Sequence, residues 1–121
     1  MCTVTFIARK RGYCLGMNRD EKLTRLTGLK PRKQNVNGWT VLCPSEPGGG
    51  TWIALNESGT CFSLINWYSM AKRVDRNAIS RGEVVHSVSA SALPHLADAA
   101  LAKLPLHRIN PFRLIGVFPM T

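Results

Sequence analysis

The sequence predicts an α+β fold, and three observations carry the prediction. Residues 2–9 alternate with period two: Cys2, Val4, Phe6 and Ala8 share one face, Thr3, Thr5, Ile7 and Arg9 the other. Leu93, Leu96, Ala97, Ala100, Leu101 and Leu104 instead recur at the spacing of one helix face. Residues 112–118 then return to a strand composition. Strands, two helices and a further strand predict antiparallel strands covered by two helices.

Taken in order, the first strand runs from Cys2 to Arg9, and Arg11-Gly12 turns the chain into a short second strand over Tyr13 to Met17. That hairpin returns Asn18-Arg19-Asp20 toward the start of strand one, where Cys2 lies. Lys22 to Asn37 is polar and basic, punctuated by Gly28 and Pro31, and reads as a long exposed loop. Trp39 to Cys43 is a short strand ended by Pro44. Pro47-Gly48-Gly49-Gly50 reads as a mobile loop leading to a strand pattern over Thr51 to Leu55. Asn56-Glu57-Ser58-Gly59 is a turn, and Thr60 to Trp67 is its partner strand, with Phe62, Leu64, Asn66 and Tyr68 on one face. Ser80 is positioned to cap a short helix over Val84 to Val88. Pro94 suits the first turn of the second helix and Pro105 closes it.

Size and composition fit one domain, residues 1–121. Hydrophobic residues make up 45% and charged residues 19%, as in ordinary globular proteins. No apolar run reaches the roughly 20 residues that span a bilayer. Arg9, Lys10 and Arg11 follow the first apolar segment instead of preceding it, unlike a secretory leader, so a cytoplasmic location is expected. The four cysteines form no C-x-x-C pair. Cys14, Cys43 and Cys61 lie in apolar strand-like stretches and are expected to be buried thiols. His86, His95 and His107 lack metal-ligand spacing, so neither a metal nor another cofactor is expected. The net charge of +9 attracts polyanions, and nine of the sixteen basic residues fall between Arg9 and Lys33. No nucleic-acid-binding signature accompanies them, so solvated loops are the plainer reading and specific nucleic-acid binding is not expected. Anionic small molecules remain candidate partners.

Two features carry chemistry. A cysteine at position 2 becomes N-terminal if Met1 is trimmed, giving one residue a thiol and an α-amine with a reference pKa of about 8 to serve as its base. Asn18-Arg19-Asp20-Glu21 places a guanidinium beside two carboxylates. Two readings stand for each. Cys2 is a nucleophile or a small residue opening a buried strand; the tetrad is part of a pocket or a turn with a local ion pair, worth little if exposed.

Five motifs occur in order: Met1-Cys2-x-x-x-Phe6, Asn18-Arg19-Asp20-Glu21, Gly49-Gly50-Thr51-Trp52, Asn66 after an apolar strand, and Ser80-Arg81-Gly82-Glu83. On these the whole chain resembles the NRDE family, the transport and Golgi organisation protein 2-like proteins. The resemblance implies an N-terminal-nucleophile-hydrolase-like αββα sandwich. A fainter similarity reaches the bile salt hydrolase and penicillin V acylase group. Carried over, it implies Cys2 as nucleophile, Asp20 orienting its amine and Asn66 in the oxyanion hole. That group has an arginine where this chain has Met17, with Arg19 two residues later. Asn18, Arg19, Trp52 and Arg81 are the expected substrate contacts.

Both groups are longer, and residues 112–118 read as a strand in mid-sheet, so an incomplete, N-terminal half of the fold is expected. Hydrolysis of a small amide through Cys2 is the first function implied. The second is a non-catalytic ligand-binding or intracellular trafficking module, in which an apolar pocket fringed by Arg19, Arg25 and Arg81 takes haem or another anionic small molecule.

Overall fold

A computed structural model describes residues 2–20, 22–67, 74 and 76–119. Its elements are β1 (Cys2–Arg9), β2 (Gly12–Arg19), β3 (Leu29–Val36), β4 (Trp39–Ser45), β5 (Ile53–Asn56), β6 (Cys61–Asn66), α1 (Gly82–Val88), α2 (Pro94–Ala102) and β7 (Phe112–Val117). β1 and β2 form a two-stranded antiparallel sheet, and the other five strands form a second in the order β3-β4-β5-β6-β7. The fold is α+β, with two antiparallel sheets and two helices.

The larger sheet separates two environments. Val41, Cys43, Ala54, Phe62 and Leu64 lie on one face and pack with Val84, Val85 and Val88 of α1 and Ile109 into the core. Because side chains alternate along a strand, Leu42, Ile53, Leu55 and Cys61 point the other way, toward the β1–β2 hairpin. The Tyr13 hydroxyl ties that hairpin down by donating to the Gly59 carbonyl at 2.7 Å. Buried Asn56 links the β5–β6 turn to the helices. Its amide donates to the carbonyls of Ser89 and Ser91, and its oxygen accepts from Ser58 and from the Thr60 N–H. That pairing meets the desolvation cost of a buried amide.

Several expectations are corrected. The stretch from Lys22 to Asn37 is not all loop, since residues 29–36 form edge strand β3, paired with β4. Its polar, basic composition reflects the edge: Lys30, Arg32 and Lys33 stay in water and Pro31 sits at a register shift, devices that discourage pairing with other chains. Asn37 and Gly38, both at positive φ, make the two-residue hairpin turn into β4. β2 extends to Arg19, two residues past the expected end. Cys14 is exposed, on the hairpin face that no strand or helix among the described residues covers; Cys43 and Cys61 are buried.

The residue at the cap of α1 is Arg81, whose side chain makes no capping bond to the helix; the Ser80 hydroxyl, one residue earlier, accepts from the N–H of Gly82, the first residue of α1. The apolar stripe of α2 is only partly used. Ala97 is buried and Ala100, Leu101 and Leu104 pack against the core, whereas Leu93 and Leu96 are exposed. Among the described residues β7 pairs with β6 and ends the larger sheet. The glycine run is a turn closed by backbone bonds from Gly49 N to Glu46 O and from Glu46 N to Gly50 O. Tyr68, expected on the Phe62 face, lies outside the described residues.

Candidate functional site

Cys2 and Arg19 are directly opposite in the β1–β2 register, so their side chains share a face. At that end of the hairpin a cavity of about 290 Å³ opens. β1 and β2 contribute Cys2 and Arg19, β6 contributes Leu64 and Asn66, and Thr51 and Trp52 come from the approach to β5. The segment before α1, with Ser80, Arg81 and Gly82, forms a further wall. Leu64 and Asn66 both reach the cavity because residues two apart on a strand face the same way.

The glycines make that wall possible. A Cβ on Gly82 would lie 2.8 Å from the Gly50 Cα, closer than two carbons approach. Their contact lets the Thr51 N–H reach the Gly82 carbonyl at 3.5 Å and brings the start of α1 against the glycine turn.

Arg19 organises the polar side. Its guanidinium carbon lies 3.7 Å from the centre of the Trp52 ring, and Nη2 is 2.6 Å from Glu46 Oε1. Both charged side chains are largely withdrawn from water, at 17% and 20% exposure, where pairing counts for more than on an open surface. Arg25 reaches the same oxygen at 3.3 Å from a more exposed position. Arg81 Nε donates to the Pro111 carbonyl at 3.0 Å, fixing the plane of its guanidinium at the rim. The lining is mainly polar, unlike the apolar pocket expected from the sequence.

The structure thus brings together Cys2, Arg19, Trp52, Asn66 and Arg81 around one cavity. Asn18 and Asp20 are exposed and do not line it; Asn18 pairs with Thr3 on the hairpin's other face. Sequence reasoning missed Glu46, Thr51 and Asn110. For Glu46 a signal existed: a carboxylate is scarce in so basic a chain, and this one stands immediately before the Pro-Gly-Gly-Gly turn.

The other thiols differ from Cys2 in setting. Burial pushes the Cys61 thiol up to about 11. Cys43 is also raised, burial outweighing the lowering effects of Thr51 and Arg32. Neither supplies much thiolate near neutrality. Among the described residues no group of three His, Cys, Asp or Glu side chains is placed to hold a metal. No helix among them is long and apolar enough to cross a membrane.

The family model described as Transport and Golgi organisation 2 matches residues 1–119. The chain belongs to that family. No curated protein and no solved structure matches it.

Proposed function

We propose that this member of the Transport and Golgi organisation 2 family is an N-terminal cysteine amidohydrolase-like protein that acts on a small amide through Cys2. The observation that carries the reading is the meeting of Cys2 and Asn66 in one cavity walled by Arg19, Trp52 and Arg81. The helix layer and two sheet layers are compatible with an N-terminal-nucleophile-like αββα sandwich. Four free thiols suit a reducing, cytoplasmic setting.

The chemistry requires removal of Met1. The freed α-amine of Cys2 takes the thiol proton, and the sulfur attacks the amide carbonyl carbon to form a C–S bond; Asp20, which the resemblance gives as the orienting carboxylate, stands outside the cavity lining. The Asn66 amide donates to the developing oxyanion, the kind of contact that usually contributes most in acyl transfer. Collapse breaks the C–N bond, and the proton held by the α-amine passes to the departing amine. Water, deprotonated by the same amine, then cleaves the thioester to a carboxylic acid and restores the thiol. Arg81 and Arg19, with the Trp52 ring beside them, contact an anionic part of the substrate.

Processed protein incubated with a panel of small acyl amides is expected to show turnover that Cys2→Ala abolishes. A small thiol-directed electrophile should modify Cys2, located by peptide mapping because Cys14 is also exposed. Turnover unchanged in Cys2→Ala removes the mechanism.

A second reading rests on the charge of the cavity. Among the described residues that line it, Arg19, Arg25 and Arg81 accompany one carboxylate, Glu46, a balance that suits an anionic occupant whether or not it is turned over. Binding without turnover makes the chain a ligand carrier or trafficking module. A saturable haem titration that survives Cys2→Ala and weakens in Arg81→Ala supports the carrier; no saturable spectral shift counts against haem.

A further inference from the structure

We propose that the tip of the β1–β2 hairpin docks on an anionic lipid bilayer, a property independent of the cavity at the hairpin's other end. Residues 5–12, Thr-Phe-Ile-Ala-Arg-Lys-Arg-Gly, are exposed in unbroken succession. Phe6 and Ile7 keep 52% and 51% of their surface in water. Neighbours on a strand point to opposite faces, so apolar surface is presented on both sides of the ribbon. A strand that only covered a core would bury one of the two. Arg9, Lys10 and Arg11 follow in a row, and Gly12, at φ +121°, lets the chain reverse beneath them. From Cys2 to Arg19 there is no acidic residue to offset these cations.

The same apolar surface continues inward. Phe6 stacks on Tyr13 at 5.9 Å, and Tyr13 and Leu15 face Leu42, Pro44 and Leu55 across an open groove of about 600 Å³ with Arg11 on its wall. Lys33 pairs directly with Leu42 and therefore shares its face. Exposed apolar groups rimmed by cations match the chemistry of the bilayer interface, where apolar side chains leave water at headgroup depth and basic ones meet anionic lipid. A polynucleotide satisfies the cations equally well but leaves Ile7 in water, since a branched aliphatic offers no ring for a base to stack on. The bilayer accounts for both halves of the tip.

The test is co-sedimentation of the full chain with vesicles of phosphatidylcholine containing 30% phosphatidylserine, set against pure phosphatidylcholine. Binding is expected to the anionic vesicles, weaker to the neutral ones, and weaker again as salt rises. Arg9→Gln/Lys10→Gln/Arg11→Gln should lower the affinity on the order of a hundredfold, about fivefold for each charge removed. Phe6→Ser/Ile7→Ser should lower it roughly tenfold with an unchanged thermal midpoint. If that variant fails to fold, Ile7→Trp serves instead, its fluorescence shifting to shorter wavelength on adding anionic vesicles. No binding to anionic vesicles, or binding that ignores both Phe6 and Ile7, overturns the proposal. So does polyuridylate that displaces the protein from vesicles and binds the Phe6→Ser/Ile7→Ser variant undiminished, which would make the tip a nucleic-acid contact.

Discussion

The two ends of the β1–β2 hairpin are built from the same alternating sequence and have opposite fates. At one end Cys2 and Arg19 are half-buried, and Arg19 is held between the Trp52 ring and Glu46. At the other, Phe6 and Ile7 stand in water beside three cations. Periodicity within the hairpin does not distinguish them. What does is the surface opposite: the end of β6, the glycine turn and the start of α1 close over the Cys2 end, while the tip has only the open groove. An element's pattern says which residues share a face; whether that face is buried depends on distant parts of the chain.

Four predictions test that contrast. The largest stability effect is expected at the closed end. Gly82→Ala forces its Cβ against Gly50 and should cost about 1–3 kcal/mol by overpacking, measured by denaturant unfolding. A neutral result would mean that the cavity wall yields freely. Glu46→Gln removes a charge from a pair mostly shielded from water and should cost about 1–2 kcal/mol, read in the same assay. Tyr13→Phe deletes one hydrogen bond to the Gly59 carbonyl midway between the two environments, for about 1 kcal/mol. Ile7→Ser at the tip should change stability by less than about 0.5 kcal/mol. A cost at Ile7 equal to that at Tyr13 would erase the distinction between the ends.

The hairpin's inner face also lies over a buried thiol, and pH probes that layer. The folded chain holds the Cys61 proton up to about pH 11, against an ordinary value of 9.0. Below pH 9 both states keep the proton and stability is unaffected. Between about 9 and 11 the unfolded chain releases it first, so stability should fall as pH rises through that window. The thermal midpoint followed from pH 8 to 11 checks this. Cys61→Ala should flatten the alkaline decline, and an identical decline in the variant would assign it elsewhere.

Much of this was legible from residues alone. The hairpin, the Asn56–Gly59 turn, the strands either side of it and the second helix follow from local period and turn chemistry. So does the meeting of Arg19 with Cys2, because a hairpin fixes its own register. β3 was not legible by period, since an edge strand in water carries no apolar alternation, yet Asn37-Gly38 marks its turn. Glu46 joins Arg19 across 27 residues and through two glycines packed face to face, a relation no local pattern expresses. The stripe of α2 misled for the converse reason: Leu93 and Leu96 have helical spacing but lie beyond the edge of what the helix covers.

The most direct test of the central claim is the intact mass of processed protein after brief incubation with a reactive acyl amide, followed by peptide mapping. The account predicts a single added acyl group on Cys2, absent in Cys2→Ala and reduced in Asn66→Ala. An acyl group carried by Cys14 with Cys2 unmodified would contradict it.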